Sequence, residues 1–123
     1  MLSAALCCLG SVNASAAPDA KAAFEARQQD LIRLAGSLGA LHRYHQMCGN
    51  GNNPDLFRNR MRQLVPLEAP MESTRQSMIS AFNTRFRQVS NDYLTCSGPA
   101  RQGMEEETQR ALVISERLFR AFR

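Results

Sequence analysis

Residues 31–51 read LIRLAGSLGALHRYHQMCGNG and contain the clearest part of a first helix together with its end. Leucine recurs at positions 31, 34, 38 and 41, three and four residues apart, which is the spacing of one face of an α-helix. The same stripe extends back to Phe24 and forward to His45, so a long helix is predicted over Asp19–Met47. Residues 48–52, CGNGN, favour turn conformations and end this helix.

Three further helices follow along the chain. Their predicted bounds are Asn53-Pro54 to about Pro66, Pro70 or Ser73 to about Leu94, and Ala100 to about Ala121. Asn53 offers a side-chain cap to the second helix, with Pro54 at its first helical position. The apolar stripe of the fourth helix comprises Met104, Ala111, Leu112, Ser115, Leu118 and Phe119.

The beginning of the chain has the pattern of an export signal. Residues 2–12 are almost all apolar or small, and Ala14-Ser15-Ala16 is the small-x-small pattern that signal peptidase accepts. We expect residues 1–16 to be a cleaved signal peptide and residues 17–123 to form a single helical domain, periplasmic or secreted. No Lys or Arg precedes the apolar run, so an ordinary buried helix is the alternative. No later run reaches eighteen apolar residues, so no transmembrane segment is expected in the mature chain.

Cleavage would remove Cys7 and Cys8 and leave Cys48 and Cys96. Two cysteines in an exported protein are most simply explained by one disulfide, and free or metal-binding thiols are the alternative. Short connections predict antiparallel neighbouring helices, which brings the ends of the first and third helices, and hence both cysteines, to one pole. The fold predicted for these 123 residues is therefore all-α, a four-helix up-down-up-down bundle with one disulfide.

Two groups of side chains suggest ligand binding. His42 and His45 precede Cys48 at intervals of three, and two imidazoles of this kind can bind copper or zinc. The alternative places His45 in a helix interface and His42 partly in solvent. Arg58, Arg60 and Arg62, with Arg85 and Arg87, can bind phosphates, anionic lipid headgroups or an anionic envelope polymer, or they can be an ordinary solvated surface.

The inventory for catalysis is poor. The sequence has no Gly-x-Ser-x-Gly motif and no Cys-x-x-Cys-His motif, and a disulfide would silence a Cys48–His45 pair. A solvated helix start explains the consecutive residues Glu105, Glu106 and Glu107 better than acid–base chemistry does. We therefore expect no enzymatic activity and no cofactor. The net charge of +4 is ordinary and does not imply nucleic acid, which export would also remove as a partner.

The chain resembles an uncharacterised family of small exported all-helical proteins of Gram-negative bacteria with a paired-cysteine pattern. The residues that carry the resemblance are Leu38-Gly39-Ala40-Leu41-His42, Cys48-Gly49, Arg60-Met61, Phe82-Asn83, and Cys96 after Tyr93. The resemblance implies export and paired cysteines, and it transfers no activity. The function expected is a non-enzymatic, envelope-associated binding or structural module whose partner is another protein or an envelope component. The alternative is a small metal-binding protein that uses His42 and His45.

Overall fold

The structure is a computed structural model that describes residues 10, 16–69 and 71–120. The described residues form four helices and no strand. Their bounds are α1, Ala16–Cys48; α2, Leu56–Glu68; α3, Glu72–Asp92; and α4, Gly98–Arg120. The predicted all-α four-helix fold is thus confirmed. The predicted signal peptide, apart from Gly10 and Ala16, lies outside the described residues.

Helix α1 is the central element, and each of the other three helices packs against it. Its neighbours alternate in direction. His45 near the end of α1 contacts Phe57 at the start of α2, and Arg27 pairs with Glu68 at the end of α2. Helix α3 runs parallel to α1, since Gly39 lies against Phe82 and Tyr44 against Tyr93, further along both helices. Helix α4 runs antiparallel to α1, because residue 103 lies beside Tyr44 and Arg117 beside Asp30.

The disulfide between Cys48 and Cys96 is present, with an S–S distance of 2.08 Å and a Cα–Cα distance of 5.2 Å. It joins the last residue of α1 to the connection after α3. The up-down-up-down order brings these two ends to one pole, as the loop lengths predict. Both the topology and the cysteine pairing are therefore confirmed.

The core follows the leucine stripe of α1. Its buried members are Leu31, Leu34, Ala35, Leu38 and Leu41 of α1, Met61 of α2, Met78 of α3, and Ala111, Ile114 and Leu118 of α4. A smaller cluster of Ala40, Tyr44 and Val89 lies between α1 and α3 towards the disulfide. The helical periodicity of α1 thus supplies one continuous seam on which the other helices pack.

Three predicted details of the helices are wrong. Helix α2 begins at Leu56, because Asn53 has a φ of 49° and therefore lacks the extended conformation of a capping residue. The same helix continues two residues past Pro66. In α4 the buried stripe passes through Ile114, and Leu112, Ser115 and Phe119 are exposed.

Candidate functional site

An open apolar groove of about 460 Å³ lies between α2 and α4. Both helices pack on α1, yet they are not packed extensively against each other. The floor of the groove is therefore the leucine stripe of α1 itself, at Leu34, Leu38 and Leu41. The surrounding helices bury most of the surface of these three leucines, and the surface above them is concave and apolar.

The two walls of the groove carry apolar side chains, and one on each wall is largely exposed to solvent. The wall from α2 includes Phe57, Leu64 and Leu67, and the wall from α4 includes Ala111 and Leu112. Leu67 is 79% exposed and Leu112 is 57% exposed, although a soluble helix usually turns its leucines inwards. We call these two residues the lips of the groove. Their exposure on both sides of one apolar floor is typical of a binding surface.

The groove continues towards the other pole of the molecule. A second cavity of about 280 Å³ shares Leu34, Leu64, Glu68 and Ser115 with it and ends at Phe119. Phe119 is 60% exposed, so α4 presents exposed apolar side chains from Leu112 to Phe119, in the second half of the helix. Leu112 and Phe119 were expected in the core of the bundle. They instead line this continuous surface.

Five of the residues that line the groove are polar, namely Arg60, Gln63, Glu68, Thr108 and Ser115. Arg60 lines its α2 side and Thr108 its α4 side. At the far end Glu68 is joined to Arg27 by an ion pair. Arg60 is exposed and forms no ion pair with any other described residue. The groove is therefore largely apolar, and beside it lies an exposed arginine with no ion-pair partner among the described residues.

The predicted arginine cluster is only partly an open surface. Arg58 and Arg62 are exposed like Arg60. Residues two apart on a helix point in different directions, so the three arginines do not share one face. Arg85 instead donates a 2.7 Å hydrogen bond to Glu107 Oε2. Arg87 is exposed on α3. The arginines of α2 thus remain candidates for an anion, whereas Arg85 has a structural partner.

Glu107 is the buried member of the glutamate trio that we expected at a solvated helix start. It is 2% exposed and accepts hydrogen bonds from Arg85 of α3 and from Arg110 of α4, at 2.7 Å and 2.5 Å. Because an unpaired carboxylate in this position would be strongly unfavourable, the two guanidinium groups are required partners. The hydrogen bond from Arg85 thus connects α3 to α4. Glu105 and Glu106 are exposed, as expected.

Tyr44 lies close to Glu107 and Arg85, in the interface of α1 with α3 and α4. Burial, the neighbouring Tyr93 hydroxyl and the Glu107 carboxylate together raise the pKa of Tyr44 to about 12, and Arg85 opposes them. Its hydroxyl lies where α4 carries Gly103, and a β-carbon at that position would come within 2.5 Å of it. This glycine lets α4 approach the tyrosine. The hydroxyl is therefore a packed structural group that stays protonated.

The two histidines occupy the reverse of their expected environments. His42 is 6% exposed and packs between Phe82 and Phe86, with ring-centroid distances of 5.8 Å and 5.5 Å. His45 is partly exposed, and its Nε2–H donates to the carbonyl of Asn53 at 3.0 Å. The two rings therefore face different neighbours. Within the described parts of the chain, no group of three or more His, Cys, Asp or Glu side chains could hold a metal ion.

Burial lowers the pKa of His42 below its ordinary value of 6.5; Arg58 and His45 lower it further, and Asp55 opposes them. The unfolded chain then binds a proton at a higher pH than the folded chain does. We expect the free energy of unfolding to be highest above pH 6.5 and to fall as the pH drops from 6.5 towards the lowered pKa. Urea unfolding at about pH 7.5 and about pH 5.5 measures this slope.

The variant His42→Leu is the control for this prediction, because it keeps His45 and removes the buried ring. Its unfolding free energy should depend less on pH over the same interval. Asp30 does not interfere, because a hydrogen bond from Arg117 lowers the pKa of Asp30 below 3.8, outside this interval. Equal slopes for the two proteins would show that His42 does not cause the pH dependence.

Among the described residues, no helix has the length and apolarity that a membrane crossing requires. No curated protein and no solved structure matches the chain. A family model described as "Protein of unknown function (DUF2385)" matches residues 26–122. The match begins where α1 enters the packed body, since residues 19–26 are exposed, and it includes both cysteines and the whole groove. The chain therefore belongs to this family of proteins of unknown function, DUF2385.

Proposed function

We propose that the protein is an exported, non-enzymatic binding module of the cell envelope and that the groove between α2 and α4 is its binding site. The observation that carries this proposal is the pair of exposed lips, Leu67 and Leu112, above a continuous floor of leucines. In a monomer these apolar side chains stay in contact with water, so they add no hydrophobic free energy to the stability of the fold. Their burial by a partner would contribute favourable free energy.

Export is supported by the sequence and by the disulfide. An apolar run followed by Ala14-Ser15-Ala16 precedes the helical domain, and disulfides persist in oxidising compartments. We favour the groove over the alternative metal site. His42 is packed between two aromatic rings, and His45 uses its Nε2–H for a backbone carbonyl, so neither ring is presented as an open ligand.

A photo-crosslinking amino acid at each lip tests this function in cells. With the cross-linker at residue 67 or residue 112, we expect light to produce an adduct of the same mass from both positions, in the periplasmic or secreted fraction. Leu94 is the matched control, because it is an exposed leucine at 88% that lies outside the groove. The same cross-linker at residue 94 should not give this adduct.

The intact mass of the protein from that fraction supplies the second readout. We expect the first sixteen residues and two hydrogens to be missing, and no thiol to react with an alkylating reagent. Full-length protein with alkylatable thiols would contradict export. Adducts that are equally frequent from residues 67, 112 and 94 would contradict the groove as the binding site.

A further inference from the structure

The spacing of the groove residues matches the surface of another helix. The floor repeats at Leu34, Leu38 and Leu41, and the α4 wall repeats at Thr108, residues 111–112 and Ser115. Both repeats advance by three and four residues, the interval at which the side chains of one helix fit between those of the next. A further helix packed along α1 would therefore meet side chains and gaps at the same spacing as its own side chains.

The length of the groove limits the size of such a helix. Between Leu31 and Leu41 the axis of α1 advances roughly 15 Å, at about 1.5 Å for each residue. These are the first and last leucines of α1 that line the joined cavities, and beyond Leu31 the lining from α1 is the charged Arg27. About ten residues, or about three helical turns, would therefore fill it.

The openness of the groove indicates that its occupant has two different faces. The leucine lips stand on either side of the floor and nothing among the described residues closes over them. An occupant is then covered on one side and remains in water on the other. An extended acyl chain would leave apolar surface in water, whereas an amphipathic helix would place its polar face there.

The charges beside the groove indicate where the occupant carries an acid. Arg60 lies one turn into α2, near the Leu41 end of the floor, and has no ion-pair partner among the described residues. At the opposite end Glu68 is already paired with Arg27. Arg58 and Arg62 add positive charge to the same helix. A carboxylate near Arg60 would complete the pairing that the chain leaves open.

We propose that the occupant of the groove is an amphipathic α-helix of about three turns, with apolar residues at i, i+3 or i+4 and i+7, and an Asp or Glu beside Arg60. This inference rests on the proposed function, because it names the partner chemistry of the same site. It places the apolar stripe of the partner on the α1 leucines and between the two lips. Its carboxylate would give the direction in which the helix lies.

Two synthetic peptides test the assignment. Both have leucines at helical spacing and a fluorescent label, and they differ only in carrying Glu or Lys at the end that would lie beside Arg60. Fluorescence anisotropy with the full mature protein should show the Glu peptide binding about fivefold more tightly at low salt, since a partly exposed charge pair contributes about 1 kcal/mol. The preference should shrink as salt is added.

Charge reversal shows whether Arg60 causes the preference. In the variant Arg60→Glu the Lys peptide should bind more tightly than the Glu peptide. Arg87→Glu is the matched control, because Arg87 is an exposed arginine of α3 outside the groove, and this variant should keep the preference for Glu. Circular dichroism should show the same helix content in both variants, because neither arginine is part of the core.

The outcomes separate this inference from the proposed function. Equal binding of both peptides, unchanged in Arg60→Glu, would overturn the assigned carboxylate. Binding of sodium laurate without binding of either peptide would assign the groove to an acyl chain and overturn the helix. A concentration-dependent dimer abolished by Leu112→Asp, and kept in Leu94→Asp, would assign it to a second copy of this chain. In these last two cases the cross-linked adducts from residues 67 and 112 would still support a binding groove. If neither these adducts nor peptide binding were observed, both proposals would be overturned together.

Discussion

Serine at both Cys48 and Cys96 is expected to lower the free energy of unfolding by about 4 kcal/mol. The disulfide closes a loop with a sequence separation of 48 residues, so the oxidised unfolded chain has far fewer conformations than the open chain. A helical domain of this size is stabilised by only about 5 to 15 kcal/mol, so the loss is a large share of its stability. Urea unfolding followed by circular dichroism measures it.

Reduction of the wild-type protein is the control for this prediction. A reductant should move the unfolding midpoint of the wild type to that of the double-serine variant and leave the variant itself unchanged. Loop closure constrains the unfolded chain, so the helices of the reduced protein should keep their packing at low urea. Equal midpoints for reduced and oxidised wild type would contradict the prediction.

Alanine at Gly39 is expected to destabilise the protein by about 3 kcal/mol. A β-carbon at this position would lie 2.0 Å from the carbonyl oxygen of Phe82 and 2.7 Å from its carbonyl carbon. Both atoms belong to the backbone of α3, so no side chain can rotate away to make room. The two helices would have to separate along their whole interface, which would open the core around Leu38 and Met78.

Gly98→Ala is the matched control. A β-carbon on Gly98 would meet nothing within 4 Å, and this residue is the first of α4. This variant should be near neutral or slightly more stable than the wild type, because alanine is the better helix former. A Gly39→Ala midpoint equal to that of Gly98→Ala would show that α1 and α3 are not in this close contact.

The parts of the fold that depend on local pattern were predictable. The leucine stripe of α1 predicted that helix and its buried face, and the turn residues after Cys48 predicted where it ends. The disulfide followed from topology, since loop length alone puts the ends of α1 and α3 at one pole. Gly36 and Gly39 of α1 both lie against α3, where a side chain at either position would meet it.

The side chains that were placed wrongly depend on which neighbour a helix face meets. His42 and His45 are both near the end of α1, but α3 covers His42 with two phenylalanines, whereas His45 meets the turn before α2. Glu107 looks like its neighbours in sequence. It is buried because Arg85 reaches it from another helix, and an ion pair of this kind has no local signature.

The groove escaped the sequence analysis for the same reason. Leu112 and Phe119 have the spacing of core residues, and periodicity cannot distinguish a face that is buried from one that is open. The lips become visible only when the positions of α2 and α4 on α1 are known. The arginines of α2 were predicted as an anion site, and Arg60 lies beside the groove, but its role as a rim charge depends on that geometry.

Helix α2 is held mainly by α1, and this affects how readily α2 opens locally. This helix of 13 residues takes most of its contacts from α1 and has Met61 as its buried side chain. Segments with few buried contacts open locally at the smallest cost in free energy, so the backbone amides of α2 should exchange their hydrogens ahead of those of α1 and α3. An occupant of the groove would give α2 a second packing partner. Ligand binding and the ordering of this wall are therefore coupled, and a bound partner would slow exchange in α2 itself.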